Sequence, residues 1–217
     1  MTKQLRADAA RNRQRLITAA CEVFAERGLD VPMEDVARHA GVGVGTLYRR
    51  FPTRTDLIAV AFEAKMRAYA DAVEHALTDP DSWSGFCASV WQMCAMQATD
   101  RAFANVLTMT FPGATQFEAE RKRAWDGAVQ LIRRAKHAGK LRKDFVPEDL
   151  VLLRMANAGV VTATADAAPD AWRRVVGYLL EGFAAPGTST LPKAPSSRAM
   201  YQALIRQRPP VKVFRVC

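Results

Sequence analysis

The chain has few of the residue types that carry chemistry. Its three histidines and four cysteines lie far apart along the 217 residues, without the CxxC spacing typical of zinc sites and redox motifs. Cys87 and Cys94 would lie about 10 Å apart along one helix, which is too far for a disulfide. The sequence has no GxSxG, HExxH or glycine-rich phosphate loop. We therefore expect no catalytic site, no metal site and no cofactor.

Long apolar runs are also missing. No stretch of about 18 uncharged apolar residues occurs, which is the length that a membrane-spanning helix needs. The basic residues among the first twenty are not followed by the apolar segment of a signal peptide. The sequence therefore predicts a cytoplasmic protein without a membrane partner.

Acidic residues are missing from the last part of the chain. Residues 186–217 carry 6 basic and no acidic side chains, residues 61–185 carry 15 of each, and residues 1–60 carry 10 basic against 7 acidic. The formal charge of +9 therefore belongs to the two ends. Basic ends around a neutral block indicate a polyanionic partner, and nucleic acid is the first candidate.

Apolar residues recur at helical spacing nearly throughout, which predicts an all-α fold. Leu16 to Phe24 form one face of an amphipathic helix that Gly28 ends. Pro32 takes the first position of a second helix, and Thr53 with Asp56 forms a capping box for a fourth. Beyond the first, the predicted helices span about 32–40, 44–50, 53–77, 81–97, 99–111, 117–138, 147–165 and 169–184, and a brief helix can form at 197–206.

The second and third predicted helices are short and are joined by the tight turn of residues 40–43. Such a pair is the signature of a helix-turn-helix, whose second helix enters the major groove of DNA. Gly43 and Gly45 permit close approach of the backbone, and Thr46, Tyr48, Arg49 and Arg50 offer contacts to phosphates and base edges. The alternative is a surface hairpin whose arginines are only solvated. Leu47 and Phe51 are expected to point inward.

The stretch from Asn12 to Phe62, with FAERGLD and VPMEDVARHAGVGVGTLYRRFPTRTDL, resembles the N-terminal domain of TetR-type transcriptional regulators. GVGVGTLYRRF at this spacing is highly specific. The later stretch HAGKLRKDFVPEDLVLL resembles the C-terminal domain of the SbtR-like branch. The resemblance implies a homodimer that binds a double-stranded, palindromic operator and represses until a small molecule binds, and hence a nucleoid-associated protein.

The resemblance also assigns roles within the recognition helix. It makes Arg49 a reader of bases, and it places Tyr48, Arg50 and Arg54 at phosphate contacts. Two departures are Pro32, where many members have a capping threonine, and Gly43, where serine is frequent. The candidate DNA-binding residues are Gly43, Val44, Gly45, Thr46, Tyr48, Arg49, Arg50 and Arg54.

The segment from Ser82 to Phe117 has only two charged residues, Asp100 and Arg101, and many large apolar ones. Such a segment forms ordinary core or lines a cavity, and periodicity does not separate the two. The resemblance implies that these helices enclose an effector, which we expect to be small and apolar. The candidate pocket residues are Phe86, Trp91, Gln97, Phe103, Met109, Phe111 and Trp125.

The last two long helices carry continuous apolar stripes. These stripes face the protein's own core, or they pair with a second copy in a four-helix bundle, as the resemblance implies. The candidate dimer contacts are Leu150, Leu153, Trp172, Val176, Leu179 and Phe183.

We predict three segments: a helix-turn-helix domain at 8–55, a helical effector-binding and dimerisation domain at 56–185, and a basic flexible tail at 186–217. The tail either attracts phosphates or is simply solvated, and Val211–Phe214 shows a short β-like alternation. The leading hypothesis is a ligand-responsive repressor. The alternatives are an effector-independent DNA-binding protein or activator and, with less support, an enzyme on a helical scaffold.

Overall fold

The computed structural model describes residues 2–111, 113–187 and 189–206, with side chains for all of these except 2–7, 101 and 204–206. The predicted Val211–Phe214 alternation and Cys217 lie outside the described residues. The fold is all-α, as predicted. Its helices in the described ranges are α1 (Thr2–Arg27), α2 (Met33–Ala40), α3 (Val44–Arg50), α4 (Arg54–Leu77), α5 (Ser82–Thr99), α6 (Arg101–Val106), α7 (Thr115–His137), α8 (Pro147–Thr164), α9 (Ala171–Phe183) and α10 (Ser197–Arg206).

Glycines and one capping box set the ends of the first helices. Gly28 (φ +81°) follows α1 and Gly41 (φ +62°) follows α2, both in the left-handed conformation that glycine adopts without strain. At the start of α4, the amide of Asp56 donates to Oγ1 of Thr53 over 3.1 Å, and the amide of Thr53 donates back to the Asp56 carboxylate over 3.0 Å. These three predictions are confirmed.

The start of α2 differs by one position from the prediction. Pro32 has extended backbone angles (φ −53°, ψ 139°) and lies at the N-cap, so that the helix begins at Met33. A proline side chain has no acceptor for the first amides, and α2 has no side-chain cap there. The position matches the one at which the resemblance implies a capping threonine.

The prediction of a helix over 99–111 was wrong in its second half. Asp100 caps α6, since its carboxylate accepts from the amide of Phe103 over 2.8 Å, but the helix ends at Val106. The guanidinium of Arg121, from α7, donates to the carbonyls of Val106 and Met109. A side chain fifteen residues away therefore satisfies backbone groups that another helical turn would have used.

The body is organised by α4, which packs along α7. A Cβ atom at Gly127 of α7 would lie 2.7 Å from Cγ1 of Val73, so that the two helices touch closely at this point. Arg123 adds ion pairs from α7 to Asp71 (2.6 Å) and Glu74 (2.7 Å) of α4. The helices α5, α8 and α9 cover the other side of the core.

The segment after α9 is held against the body as far as it is described. The buried guanidinium of Arg142 pairs with both oxygens of Asp144 and donates to the carbonyls of Gly182 (3.2 Å) and Ser189 (2.8 Å). Further on, Met200 of α10 is buried against α8. The described part of the predicted tail therefore includes a packed helix.

Candidate DNA-binding helix and interior cavity

The predicted recognition helix, α3, is held in place by the packing of its apolar side. Leu47 is fully buried and Phe51 is 3% exposed, as predicted for the inward-facing pair. They pack in one core with Val36 and Ala37 of α2. Arg13 of α1 lies over the ring of Phe51, with its guanidinium carbon 5.8 Å from the ring centre. The opposite side of α3 is thereby turned outward.

The outward side of α3 begins with two exposed glycines. Gly43 and Gly45 have no positive φ, and a Cβ atom at either position would meet no other atom within 4 Å. Val44, between them, is 39% exposed. The fold of this chain therefore does not require glycine at 43 or 45, whereas a partner that approaches the backbone closely would require it.

The polar side chains of α3 are arranged along this surface. The Arg49 guanidinium folds back along the helix and donates to the carbonyl of Gly45 and to the hydroxyl of Thr46, each over 3.1 Å. Tyr48 is 41% exposed, and its hydroxyl donates to Glu34 over 3.3 Å. Partial burial and the Glu34 carboxylate raise the pKa of Tyr48, so that the phenol remains a hydrogen-bond donor near neutral pH.

The two remaining predicted DNA contacts differ in their surroundings. Arg50 is exposed and pairs with no carboxylate in the described ranges. Arg54 is half-buried and donates to the carbonyl of Leu29 over 2.7 Å, between α1 and α2. Arg54 therefore links the start of α4 to the loop between α1 and α2.

A cavity of about 380 Å³ lies in the body of the chain. Of the predicted pocket residues, Met109 and Trp125 line it. The remainder of its wall comes mainly from α4, α7, α8 and α10. These helices lie largely outside the segment 82–117, on which the prediction of the pocket was based. Lining residues from these four helices include Met66, Tyr69, Arg121, Arg154 and Met200.

The other five predicted pocket residues do not line this cavity. Three phenylalanines are core: Phe86 packs against Phe145, Phe103 against Phe62, and Phe111 against Phe117. Their rings are each 1% exposed, because aromatic pairs fill the spaces between helices.

The last two of these five, Trp91 and Gln97, contact α9 and α8. Trp91 packs edge-on against Trp172, with ring centres 5.9 Å apart. Gln97 is fully buried and is used within the fold, since its oxygen accepts from Asn157 over 2.9 Å and its amide donates to the carbonyl of Arg154 over 3.3 Å. It is therefore a polar link between α5 and α8 rather than a handle for a ligand.

Most of the predicted dimer contacts are already buried within a single copy. Leu150, Leu153, Trp172 and Val176 are at most 8% exposed, and Phe183 packs on Phe145 with ring centres 4.8 Å apart. Only Leu179 and Phe183 are half-buried. The apolar stripes of α8 and α9 therefore face the protein's own core.

A different set of small and apolar residues lies outward on the same two helices. On α8, Leu152 is 42% exposed, and Ala156, Gly159 and Ala163 follow on the same side. On α9, Tyr178 is 61% exposed. This outward set could have been found from the sequence by asking which small residues follow Leu152 at spacings of four and three.

Comparison with known proteins gives matches to one family. The family model for bacterial regulatory proteins of the tetR family matches residues 16–61. An HTH-type transcriptional regulator from Staphylococcus aureus is 35% identical over 66 residues, which are 30% of this chain and 36% of that protein. The chain thus matches little more than a third of that relative's length.

Solved structures extend the likeness over the helical body. A TetR transcriptional regulator from Streptomyces coelicolor is 28% identical, with a TM-score of 0.51, over 82% of this chain and 99% of that chain. The regulator FadR from Bacillus subtilis, solved in complex with stearoyl-CoA, shares the fold at 18% identity and a TM-score of 0.59, over 77% of this chain and 96% of that chain. The likeness of residues 137–153 to the SbtR-like branch stays a prediction. Residues 16–61 therefore match bacterial regulatory proteins of the tetR family, and the helical body behind them is similar in fold to TetR transcriptional regulators.

Proposed function

We propose that two copies of this chain bind a palindromic operator through α3 and repress transcription until a small molecule enters the cavity. The observation that carries the proposal is the exposed side of α3, where the fold itself needs neither Gly43 nor Gly45. Arg49 and Arg50 supply positive charge there. In a twofold assembly the two α3 helices would lie about 34 Å apart, or a multiple of this distance, to enter successive major grooves.

Salt-dependent binding of the purified protein to duplex DNA from beside its own gene tests the proposal. Arg49→Ala and Tyr48→Ala should each weaken binding about tenfold or more, since each removes a contact at the groove or backbone. Arg133→Ala is the matched control, because Arg133 is exposed on α7. Binding by both α3 variants at the parental affinity would show that α3 is not the recognition helix.

The outward side of α8 is the surface we propose for dimerisation. Ala156 and Gly159 would let two copies of α8 approach closely, and Leu152 and Tyr178 would supply apolar area at the contact. Twofold pairing is the commonest assembly of soluble proteins. This surface replaces the inward-facing residues that the sequence suggested.

Sedimentation velocity tests this surface. Ala156→Glu places a charge on the proposed contact and should yield monomers with weaker operator binding. Ala68→Glu, at an exposed position of α4, is the matched control and should remain dimeric. A dimeric A156E variant would exclude this surface.

The cavity supports an effector-responsive regulator over an effector-independent one, since a filled interior would have favoured the latter. A chain of contacts leads from the cavity to the DNA-binding domain. Arg121 lines the cavity and holds the end of α6, where Phe103 packs on Phe62 of α4 (6.1 Å between ring centres). Phe62 in turn packs on Phe24 of α1 (6.4 Å).

Ligand binding would move α3 through these contacts if the ligand binds more tightly to a dimer with one spacing of the two DNA-binding domains than to a dimer with another. Reversing a 99:1 preference between two conformers takes about 5.5 kcal/mol of differential binding. A promoter fusion to a reporter gene, with and without the regulator gene, separates repression from activation. Higher reporter expression in the absence of the gene is expected, and lower expression would identify an activator.

A further inference from the structure

The cavity contains an arginine without a carboxylate partner. Arg154 of α8 lines the cavity wall, and its Nε is buried with no hydrogen-bond partner. Its nearest electrostatic neighbours are the buried hydroxyl of Tyr69 and the thiol of Cys94, and burial lowers the pKa of Arg154. Within the ranges that the structure describes, no carboxylate lies within ion-pair distance of it. Arg154 as a whole is half-buried, and a charge partly withdrawn from water is costly unless a further group pairs with it.

A second guanidinium lies in the same wall. Arg121 uses its terminal nitrogens to hold the carbonyls of Val106 and Met109, and its Nε is also buried and unpartnered. Glu118 offsets part of this charge, at 3.4 Å, while also accepting from the amide of Phe111. Burial, together with the charge of Arg154, lowers the pKa of Arg121. The wall therefore has an excess of positive charge on two half-buried side chains.

The other charged residues of the wall have polar partners of their own. Lys122 pairs with Asp126 over 2.5 Å, and the carboxylate of Glu148 accepts from the hydroxyl of Ser197 on α10. Methionine and aromatic residues make up half of the uncharged lining residues and include Met66, Met93 and Trp125. Methionine adapts to irregular shapes, so that these side chains can follow an apolar body.

We propose that the ligand of this cavity is a small amphipathic carboxylate, whose acid group pairs with Arg154 and whose apolar body lies against the methionines and Trp125. The inference rests on the proposed effector role and replaces the sequence-based expectation of a purely apolar effector. A carboxylate matches the planar fork of a guanidinium, to which it can form two parallel hydrogen bonds. Volume sets the upper size, because about 380 Å³ is at the low end for small-molecule sites.

Calorimetric titration with three compounds of one chain length tests the proposal: octanoate, octanol and octylammonium. Octanoate should bind about 10- to 100-fold more tightly than octanol, the range expected for a charge-assisted pair out of water, and octylammonium should bind more weakly than either. In Arg154→Met, octanoate and octanol should bind within about twofold of each other, since the new side chain keeps the apolar contacts alone. Arg133→Met, on the exposed side of α7, is the matched control and should keep the preference.

Thermal unfolding of the same variants shows whether a change in ligand affinity is due to a loss of folded protein. R154M should melt no lower than the parent, because it removes a half-buried charge that pairs with no carboxylate in the described part of the ligand-free protein. Arg154→Gln, which removes the charge but retains N–H donors, serves if R154M does not fold. Equal affinities for the three compounds, no binding of any of them, or a preference for octanoate that persists without Arg154 would overturn the proposal.

Operator binding by the same preparations distinguishes a failure of the proposed ligand class from a failure of the proposed effector role. Octanoate binding without operator release would leave the ligand class intact and refute its role as an effector. Operator binding together with no preference for the anion would refute the ligand class alone.

Discussion

Alanine at two nearby glycines should change the stability of the protein in opposite directions. Gly45 lies within α3, has no positive φ and has open space where a Cβ atom would be placed. Gly41 ends α2 in the left-handed conformation (φ +62°), and a Cβ atom there would lie 2.7 Å from Arg15. The same substitution is therefore made at two positions, four residues apart, that differ in backbone conformation.

The expected magnitudes follow from these backbones. Gly45→Ala removes conformational freedom from the unfolded chain and should stabilise the protein by about 0.5 kcal/mol, or ~1–2 °C in melting temperature for a chain of this size. Gly41→Ala forces a side chain into the left-handed region and should cost about 1–2 kcal/mol, or ~2–8 °C. Operator affinity should nevertheless fall about tenfold in G45A, because the methyl group lies where the helix meets the groove.

Thermal unfolding followed by circular dichroism, and fluorescence anisotropy with labelled operator, measure the two effects on one preparation. The characteristic result is a G45A variant that is more stable than the parent and yet binds DNA more weakly. A lower melting temperature for G45A would refute the description of α3. Undiminished affinity in a stabilised G45A would refute close approach of its backbone to DNA.

Two further predictions concern the body. Burial raises the pKa of Cys87 to about 11 and that of Cys94 to about 12. Because only the thiolate attacks a disulfide reagent, both cysteines should react at pH 8 about a hundredfold more slowly, or slower still, than in the unfolded chain. The reaction rate should rise as the pH approaches those pKa values. Mass spectrometry of each labelled cysteine in a Cys217→Ser variant measures this, and rapid native labelling of Cys94 would contradict it. Arg142→Met removes the hydrogen bonds to the carbonyls of Gly182 and Ser189, so the amides of residues 189–203 should exchange hydrogen about tenfold faster. The control Arg133→Met should leave these exchange rates unchanged. Unaltered exchange in R142M would show that this segment does not depend on Arg142.

Features that depend on neighbouring residues in the chain could be predicted from the sequence. The box of Thr53 and Asp56 and the helix ends at Gly28 and Gly41 follow from local backbone chemistry. The inward direction of Leu47 and Phe51 follows from their spacing of four on one helix. The outward side of α3, which we propose as the DNA-binding surface, could be outlined for the same reason, because α3 is short and its sides are set by periodicity.

Features that depend on distant residues could not be predicted from the sequence. At the early end of α6, the distant Arg121 reaches back to the carbonyl of Val106. Phe86 and Phe103 are as apolar as cavity residues, and only the packing of other helices shows that they are core. Arg154 gave no signal, because an isolated arginine in a helix sequence reads as a solvated side chain until its surroundings are known.

The close contact between Gly127 and Val73 has a mechanical consequence for the long helix α4. Val73 is 19 positions from Arg54, where α4 leaves the DNA-binding domain, and so lies about 28 Å from it along the axis, but it is only four positions from the other end at Leu77. The contact therefore divides α4 into a long and a short lever arm. A tilt of about 5° around this point would swing Arg54 by ~2.5 Å, so that a small adjustment of the helices around the cavity becomes a larger shift of the domain that carries α3.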